Sequence, residues 1–246
     1  MLDDLEADLA LARSMSELAA TLALPYFRST VQCDWKADGS PVTEADLRVE
    51  RAMLDVLAAE RPDDSVLSEE TGAVARDRRR RWLLDPIDGT VAFVAGEPSW
   101  GTHVALEIDG TIVVAVITRP VEEKAWWAAE GLGAWSSSGR RLRVSTTATP
   151  STARIGGYVR PDSAWRASVA EVARWIDTPS PMLELIDGRL DAVLSESGFE
   201  WDHAPGVLLV AEAGGRFDDL AGGQRIDRRG GLYSNGHLHD WAAGLA

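Results

Sequence analysis

A single cysteine, Cys33, stands in 246 residues, which excludes an internal disulfide framework and any cysteine-built zinc site and suits a reducing cytoplasm. No apolar run approaches the ~18 residues of a transmembrane helix, and no amino-terminal stretch has the basic-then-apolar order of a signal peptide. A soluble, cytoplasmic protein is therefore expected. Positive charge is scarce too: 25 Lys and Arg face 39 Asp and Glu, a net charge of −14. Such a surface repels nucleic acid and anionic membranes, so neither is expected as a partner. It also repels a small phosphorylated substrate, unless bound divalent cations offset it locally. Otherwise the composition is ordinary, 45% apolar and 26% charged, and the length allows one large domain or two closely packed subdomains.

The stretch Trp82-Leu83-Leu84-Asp85-Pro86-Ile87-Asp88-Gly89-Thr90 concentrates two carboxylates, a hydroxyl and a glycine in one turn. Residues 82–84 read as a short buried strand that Pro86 ends by removing a ladder donor, which leaves Asp85 at its carboxyl end. If Val91-Ala92-Phe93-Val94 is helical, Thr90 is its N-cap, and a phosphate could rest on the free N–H groups of that helix start. Asp85, Asp88 and the Ile87 carbonyl can aim three oxygens at one point, the hard-oxygen setting that Mg²⁺ prefers. A capped turn with two solvated aspartates is the plainer reading of the same residues.

Around this turn the periodicity predicts the elements. Leu2, Leu5, Leu9, Ala12, Met15, Leu18 and Leu22 recur at three- and four-residue steps, an amphipathic helix over residues 2–27. Residues 35–41 read as a loop carrying Lys36 and Gly39. Thr43 caps a second helix running to about residue 60, with Leu47, Met53, Val56 and Leu57 on its inner face and Asp46 as a helix-start acid. Residues 65–67 form a short strand that delivers Ser68-Glu69-Glu70, and residues 76–81 a solvated, arginine-rich loop. The pattern then alternates: residues 103–108 and 111–117 around Asp109-Gly110 read as a β-hairpin, with a third strand at 125–128. The two tryptophans there read as sheet packing.

The first half is thus expected to be helices on an antiparallel sheet. The Thr-, Ser- and Pro-rich segment 146–151 marks a boundary between units 1–146 and 147–246. Beyond it come a strand at 153–158, helices at 165–175 and 181–186, and a strand at 191–194. Residues 207–213 form an apolar helix stopped by Gly214-Gly215, with Asp202 at its mouth as N-cap or equally as metal ligand, and Pro205 in its first turn. Residues 232–240 read as a last strand turning into a terminal helix, with His237 and His239 on the surface.

In order, Val42-Thr43-Glu44-Ala45-Asp46, Ser68-Glu69-Glu70, the turn ending at Thr90, and Trp201-Asp202 with Glu212-Ala213-Gly214-Gly215 resemble the motifs of the inositol monophosphatase family over nearly the entire chain. The resemblance implies a mixed α and β, layered α-β-α-β-α sugar-phosphatase-like fold, with an antiparallel sheet in the first half and a smaller mixed sheet in the second. It implies Mg²⁺ ions: Glu69, Asp85 and the Ile87 carbonyl on the first, Asp85, Asp88 and Asp202 on the second. Asp46 supports a further, weaker ion, and Lys36 matches a loop lysine near it. By the same resemblance Thr90 and Glu69 orient the attacking water, Gly89 and Thr90 N–H groups hold the phosphate, and Glu196 and Asp202 contact the substrate.

The implied reaction is hydrolysis of a small phosphorylated polyol or alcohol by in-line attack of a metal-activated water, lithium-sensitive, in a homodimer. Three departures stand out: Ser68 where glycine is common, Pro205 where a small residue is usual, and Asp177-Thr178-Pro179-Ser180-Pro181 where a glycine-bearing turn usually meets the substrate. Residues 126–134 and 234–239 are similar to the histidinol-phosphate phosphatase branch, whose substrate carries an amine and an imidazole that Glu196 could pair with. A nucleotide 3′-phosphatase and a non-catalytic metal-binding regulator are further readings. A haloacid-dehalogenase-type nucleophile is disfavoured, because Pro86 crowds Asp85 and two residues, not one, separate it from Asp88.

Overall fold

In the computed structural model, residues 2–29, 32–36 and 39–245 are described. The amphipathic first segment forms α1 (Leu2–Ala23), which ends ahead of Pro25. A small antiparallel pair, β1 (Cys33–Trp35) and β2 (Pro41–Thr43), flanks the expected loop, whose residues 37 and 38 lie outside the described residues. Thr43 then caps α2 (Glu44–Glu60) in a capping box with Asp46. The buried face of α2 is Ala45, Val49, Met53 and Leu57; Leu47, expected inside, is 56% exposed.

Next come β3 (Asp64–Ser68), β4 (Gly72–Val74), β5 (Asp77–Asp88), α3 (Thr90–Ala95), β6 (Gly101–Ile108), β7 (Thr111–Arg119), β8 (Lys124–Ala129) and β9 (Gly133–Ser136). They make a seven-stranded sheet in the order β4-β3-β5-β6-β7-β8-β9. The expected hairpin turns at Asp109 and Gly110, both at positive φ. Every pair is antiparallel except β3 with β5, which run parallel because the chain passes through β4 between them. The arginine-rich stretch read as a loop is instead the start of β5. Arg80 pairs with Asp64 at 2.9 Å and Asp8 at 3.0 Å, and Arg81 with Glu107 at 2.5 Å and Glu200 at 2.7 Å.

The chain continues as β10 (Arg154–Tyr158), α4 (Ala164–Val172), β11 (Arg174–Trp175), α5 (Pro181–Ile186), β12 (Ala192–Ser195), α6 (Glu200–Glu212), β13 (Arg216–Asp219), β14 (Gly231–Ser234) and α7 (His239–Ala243). The helix read over 165–175 stops at Val172, and Arg174 and Trp175 pair with β10. The second sheet, β11-β10-β12-β14-β13, is mixed.

Five layers result. Helices α1 and α2 cover one face of the large sheet with Met15, Met53, Trp82 and Trp100 in their core, α5 and α6 fill the space between the two sheets, and α4 and α7 lie against the smaller sheet around Ile155 and Leu194. His239 belongs to that packing, not to the surface. It is 1% exposed, with Nδ1 2.8 Å from Ser234 Oγ and Nε2 3.1 Å from Asp218, whereas His237 is exposed as expected.

Candidate metal centre and active site

Strand β5 does not end at Pro86. Its ladder with β6 runs on to Asp88 through an irregularity between Asp85 and Asp88, and Pro86 sits inside that irregularity, where a missing ladder donor costs little. Asp85 and Asp88 are thereby thrown to the same end of the sheet. Gly89 then takes φ +83 and caps α3, so Thr90 is the first helical residue and not the cap.

The Thr90 hydroxyl is free of capping duty. It lies 3.1 Å from the Ile87 carbonyl and 3.4 Å from Asp46 Oδ1. The other Asp46 oxygen accepts the Thr43 N–H at 2.8 Å and the Thr43 hydroxyl at 2.6 Å. Asp46 is 0% exposed, and its two oxygens face the capping box and Thr90.

Strand β3 delivers Glu69 beside Asp85. The buried Glu50 accepts the Ser68 hydroxyl at 2.5 Å and the Glu70 N–H at 2.9 Å, which fixes the strand's end. The Lys36 ammonium bridges Glu69 and Glu70 at 2.7 Å each. Burial pushes the Glu70 carboxyl up to about 7, against the pull of Lys36.

Helix α6 starts at Glu200 with Phe199 as cap, so Asp202 is its third residue and Pro205 lies within it, a turn earlier than expected. The Asp202 carboxylate accepts the Phe199 N–H at 2.6 Å. Pro205 has no N–H to offer the Trp201 carbonyl.

Glu69, Asp85, Ile87, Asp88, Thr90 and Asp202 all line one cleft of about 380 Å³. Burial and the neighbouring Glu69, Asp88 and Asp202 charges push Asp85 well above the usual carboxylate range. Asp202 is pushed up to about 7 by burial and Asp88. For Asp88 burial acts in the same direction, yet the nearby His103 and Arg119 outweigh it and hold the group low. Its Oδ2 lies 3.3 Å from Arg119 Nη1 and 3.4 Å from His103 Nε2.

Carboxylates so disposed oppose their own ionisation, and a divalent cation relieves them. Asp85 Oδ1 is buried without a protein partner, and oxygens of Asp85 and Asp88 come within 4.8 Å of each other and of a His103 nitrogen. This hard-oxygen donor set fits Mg²⁺. Of the predicted site residues, Glu196 stands apart: its carboxylate takes the Ser163 hydroxyl at 2.5 Å and the Arg160 N–H at 3.1 Å, while its neighbours Ser195 and Ser197 line an adjoining cavity without it.

Sequence reading missed Glu50, His103 and Arg119. No short motif marks them, but register does. With His103 opposite Ile117, the two-residue period brings Gly101 and Arg119 together at the Asp88 end of β6 and β7.

A profile of the inositol monophosphatase family matches residues 3–246. The chain belongs to that family. Among its relatives is a Streptomyces griseus protein named glucose-1-phosphate thymidylyltransferase, 48% identical over 98% of this chain and 97% of that one. A histidinol-phosphatase of Mycobacterium tuberculosis is 35% identical over 97% of this chain and 95% of that one. Among solved structures, the extragenic suppressor protein suhB of Bartonella henselae superposes with a TM-score of 0.88 at 26% identity, over 97% of this chain and 98% of that one. As a member of the inositol monophosphatase family the chain is a metal-dependent phosphoric monoester hydrolase with a small phosphorylated substrate.

Proposed function

We propose that the protein hydrolyses a small phosphorylated polyol or alcohol with Mg²⁺ as its cofactor. The observation that carries this reading is the meeting of Glu69, Asp85, Asp88 and Asp202, from three separate parts of the chain, on one cleft beside the Thr90 hydroxyl. Glu69, Asp85 and the Ile87 carbonyl would hold one ion, and Asp85, Asp88 and Asp202 a second. Such ions offset the carboxylate and phosphate charge, acidify water and stabilise the departing oxygen.

The chain's own groups do the rest. With the Ile87 carbonyl given over to an ion, Asp46 Oδ1 would accept the Thr90 proton, which leaves an Oγ1 lone pair for the attacking water, with Glu69 as its second acceptor. Gly89 and Thr90 N–H groups hold phosphate oxygens at the start of α3, and Asp202 fixes the substrate from the opposite wall. Lys36 supplies a positive charge to the same acids from the β1–β2 loop. A homodimer and inhibition by millimolar Li⁺ accompany this reading on the strength of the family resemblance, a cytoplasmic setting on the single cysteine, and the division into units 1–146 and 147–246 on the Thr-, Ser- and Pro-rich segment between them.

A second reading, histidinol phosphate as substrate, is supported by the Mycobacterium tuberculosis relative. Against it, Glu196 already accepts hydrogen bonds from the Ser163 hydroxyl and the Arg160 N–H.

The test is phosphate release from inositol 1-phosphate, histidinol phosphate, fructose 1,6-bisphosphate and a 3′-phosphonucleotide, with Mg²⁺ and with EDTA. Mg²⁺-dependent release, faster from inositol 1-phosphate than from histidinol phosphate, is expected. Release that persists in EDTA overturns the proposal, as does pyrophosphate formation from dTTP and glucose 1-phosphate in place of hydrolysis.

A further inference from the structure

A second cavity, about 210 Å³, shares Asp88 and Asp202 with the metal cleft, room for roughly seven waters or one small organic group. Its walls include Tyr158, Met182, Leu183 and the Arg119 side chain. Arg119 is almost wholly buried, with 4% of its side chain exposed. One of its terminal nitrogens, Nη1, reaches Asp88 at 3.3 Å, while its buried Nε has no partner. A guanidinium is a rigid planar fork of donors that cannot give up its proton, so Arg119 keeps a positive charge on this cavity wall.

Among the described residues lining this cavity the only acids are Asp88 and Asp202. Both are committed to cations in the reading proposed above, on which this inference rests. The cavity therefore offers a substrate one permanent positive charge and no free carboxylate. It adjoins the metal cleft where the alcohol portion of a phosphomonoester must lie.

We infer that Arg119 is a specificity-determining residue that binds a carboxylate carried by the alcohol portion of the substrate. The preferred substrate is thus a phosphorylated hydroxy acid. A planar two-oxygen group matches the fork, and its charge replaces the share of Asp88 that the metals draw away.

The test compares two esters that differ in one group, 2-phosphoglycerate and glycerol 2-phosphate, by kcat/KM at saturating Mg²⁺, in the native protein and in Arg119→Met and Arg119→Lys. The native protein is expected to favour the acid by about tenfold or more, Arg119→Met to abolish the preference, and Arg119→Lys, which keeps the charge without the fork, to restore part of it. Because the readout is a ratio, a loss at the metals that slows both esters alike does not mimic it. A native ratio near one, or a ratio unmoved by Arg119→Met, overturns the inference. Should Arg119→Met fail to fold, Arg119→Lys decides, and an unchanged ratio there counts against the assignment. Hydrolysis of neither ester refutes the phosphatase reading itself; hydrolysis of glycerol 2-phosphate without preference for the acid refutes only the role of Arg119.

Discussion

Thr90 and Asp46 illustrate how a residue's role changes when its neighbours are known. From sequence, Thr90 was a cap and Asp46 a helix-start acid or outer ligand. Gly89 takes the cap through its left-handed backbone, and Asp46 closes on Thr43 and Thr90. Replacing Asp46 by Ala is expected to lower kcat by about 10²-fold with little change in KM, the usual loss on removing a proton acceptor. Thr90→Ala should match it, and the double variant should be scarcely slower than either single one, because the pair acts as a unit. Additive losses in steady-state kinetics would separate the two residues.

A second residue-scale prediction concerns Gly101. A Cβ there would lie 1.8 Å from the Thr118 carbonyl and 2.7 Å from Arg119 Nη1, so Gly101→Ala must push β6 from β7 and displace Arg119 from Asp88. A loss of about 1–3 kcal/mol is expected in denaturant unfolding, and an unchanged midpoint would contradict that packing.

At the scale of elements, what the sequence discloses depends on how local the cause is. Thr43 capping α2, the Asp109-Gly110 hairpin and the Gly214 stop of α6 rest on neighbours in sequence, and these features are read correctly. The arginines of β5 look like a solvated loop because their acids, Asp8, Glu107 and Glu200, come from distant segments. The parallel pairing of β3 with β5 and the burial of His239 at the start of α7 likewise depend on tertiary partners. Within the site, the acids of the Asp85 turn stand together in one local motif, whereas Arg119 and His103 need the register of β6 on β7. The partners of Glu196 are hidden for the same reason, since only the fold shows Ser163 and Arg160 beside it.

The ion network of β5 also fastens α1. Asp8, 1% exposed, takes Arg61 at 2.9 Å and Arg80 at 3.0 Å. Asp8→Ala leaves two partly exposed guanidinium groups short of an acceptor, and about 2 kcal/mol should be lost, a fall in Tm of about 4–8 °C for a chain of this size. Calorimetry that finds no change would show the contact to be energetically idle.

Across the whole molecule, a net charge of −14 coexists with an acidic cleft, so metal, pH and stability are linked. In the metal-free protein Asp85 and Asp202 have folded-state pKa values raised above the ordinary 3.8, Asp202 to about 7. The folded state then binds more protons than the unfolded state between these limits, so this contribution is present at low pH and is lost as pH rises toward 7. The EDTA-treated protein should therefore melt lower near pH ~7.5 than near pH ~5, with Mg²⁺ raising Tm more at the higher pH, where its ligands are already ionised. A metal-free Tm that rises over this interval would reverse the sign. Asp191 works the other way in the second sheet. Burial would raise it, but Arg154 and Ser145 hold it low, and its stabilisation fails only as pH falls below the ordinary carboxylate range.

The most direct measurement is an anomalous difference map from crystals grown with Mn²⁺ in place of Mg²⁺. Two strong peaks are expected in the cleft, one touching Glu69, Asp85 and the Ile87 carbonyl, the other Asp85, Asp88 and Asp202. An empty cleft at saturating Mn²⁺, or Asp202 turned away from the ions that hold Asp85, would contradict the proposed centre.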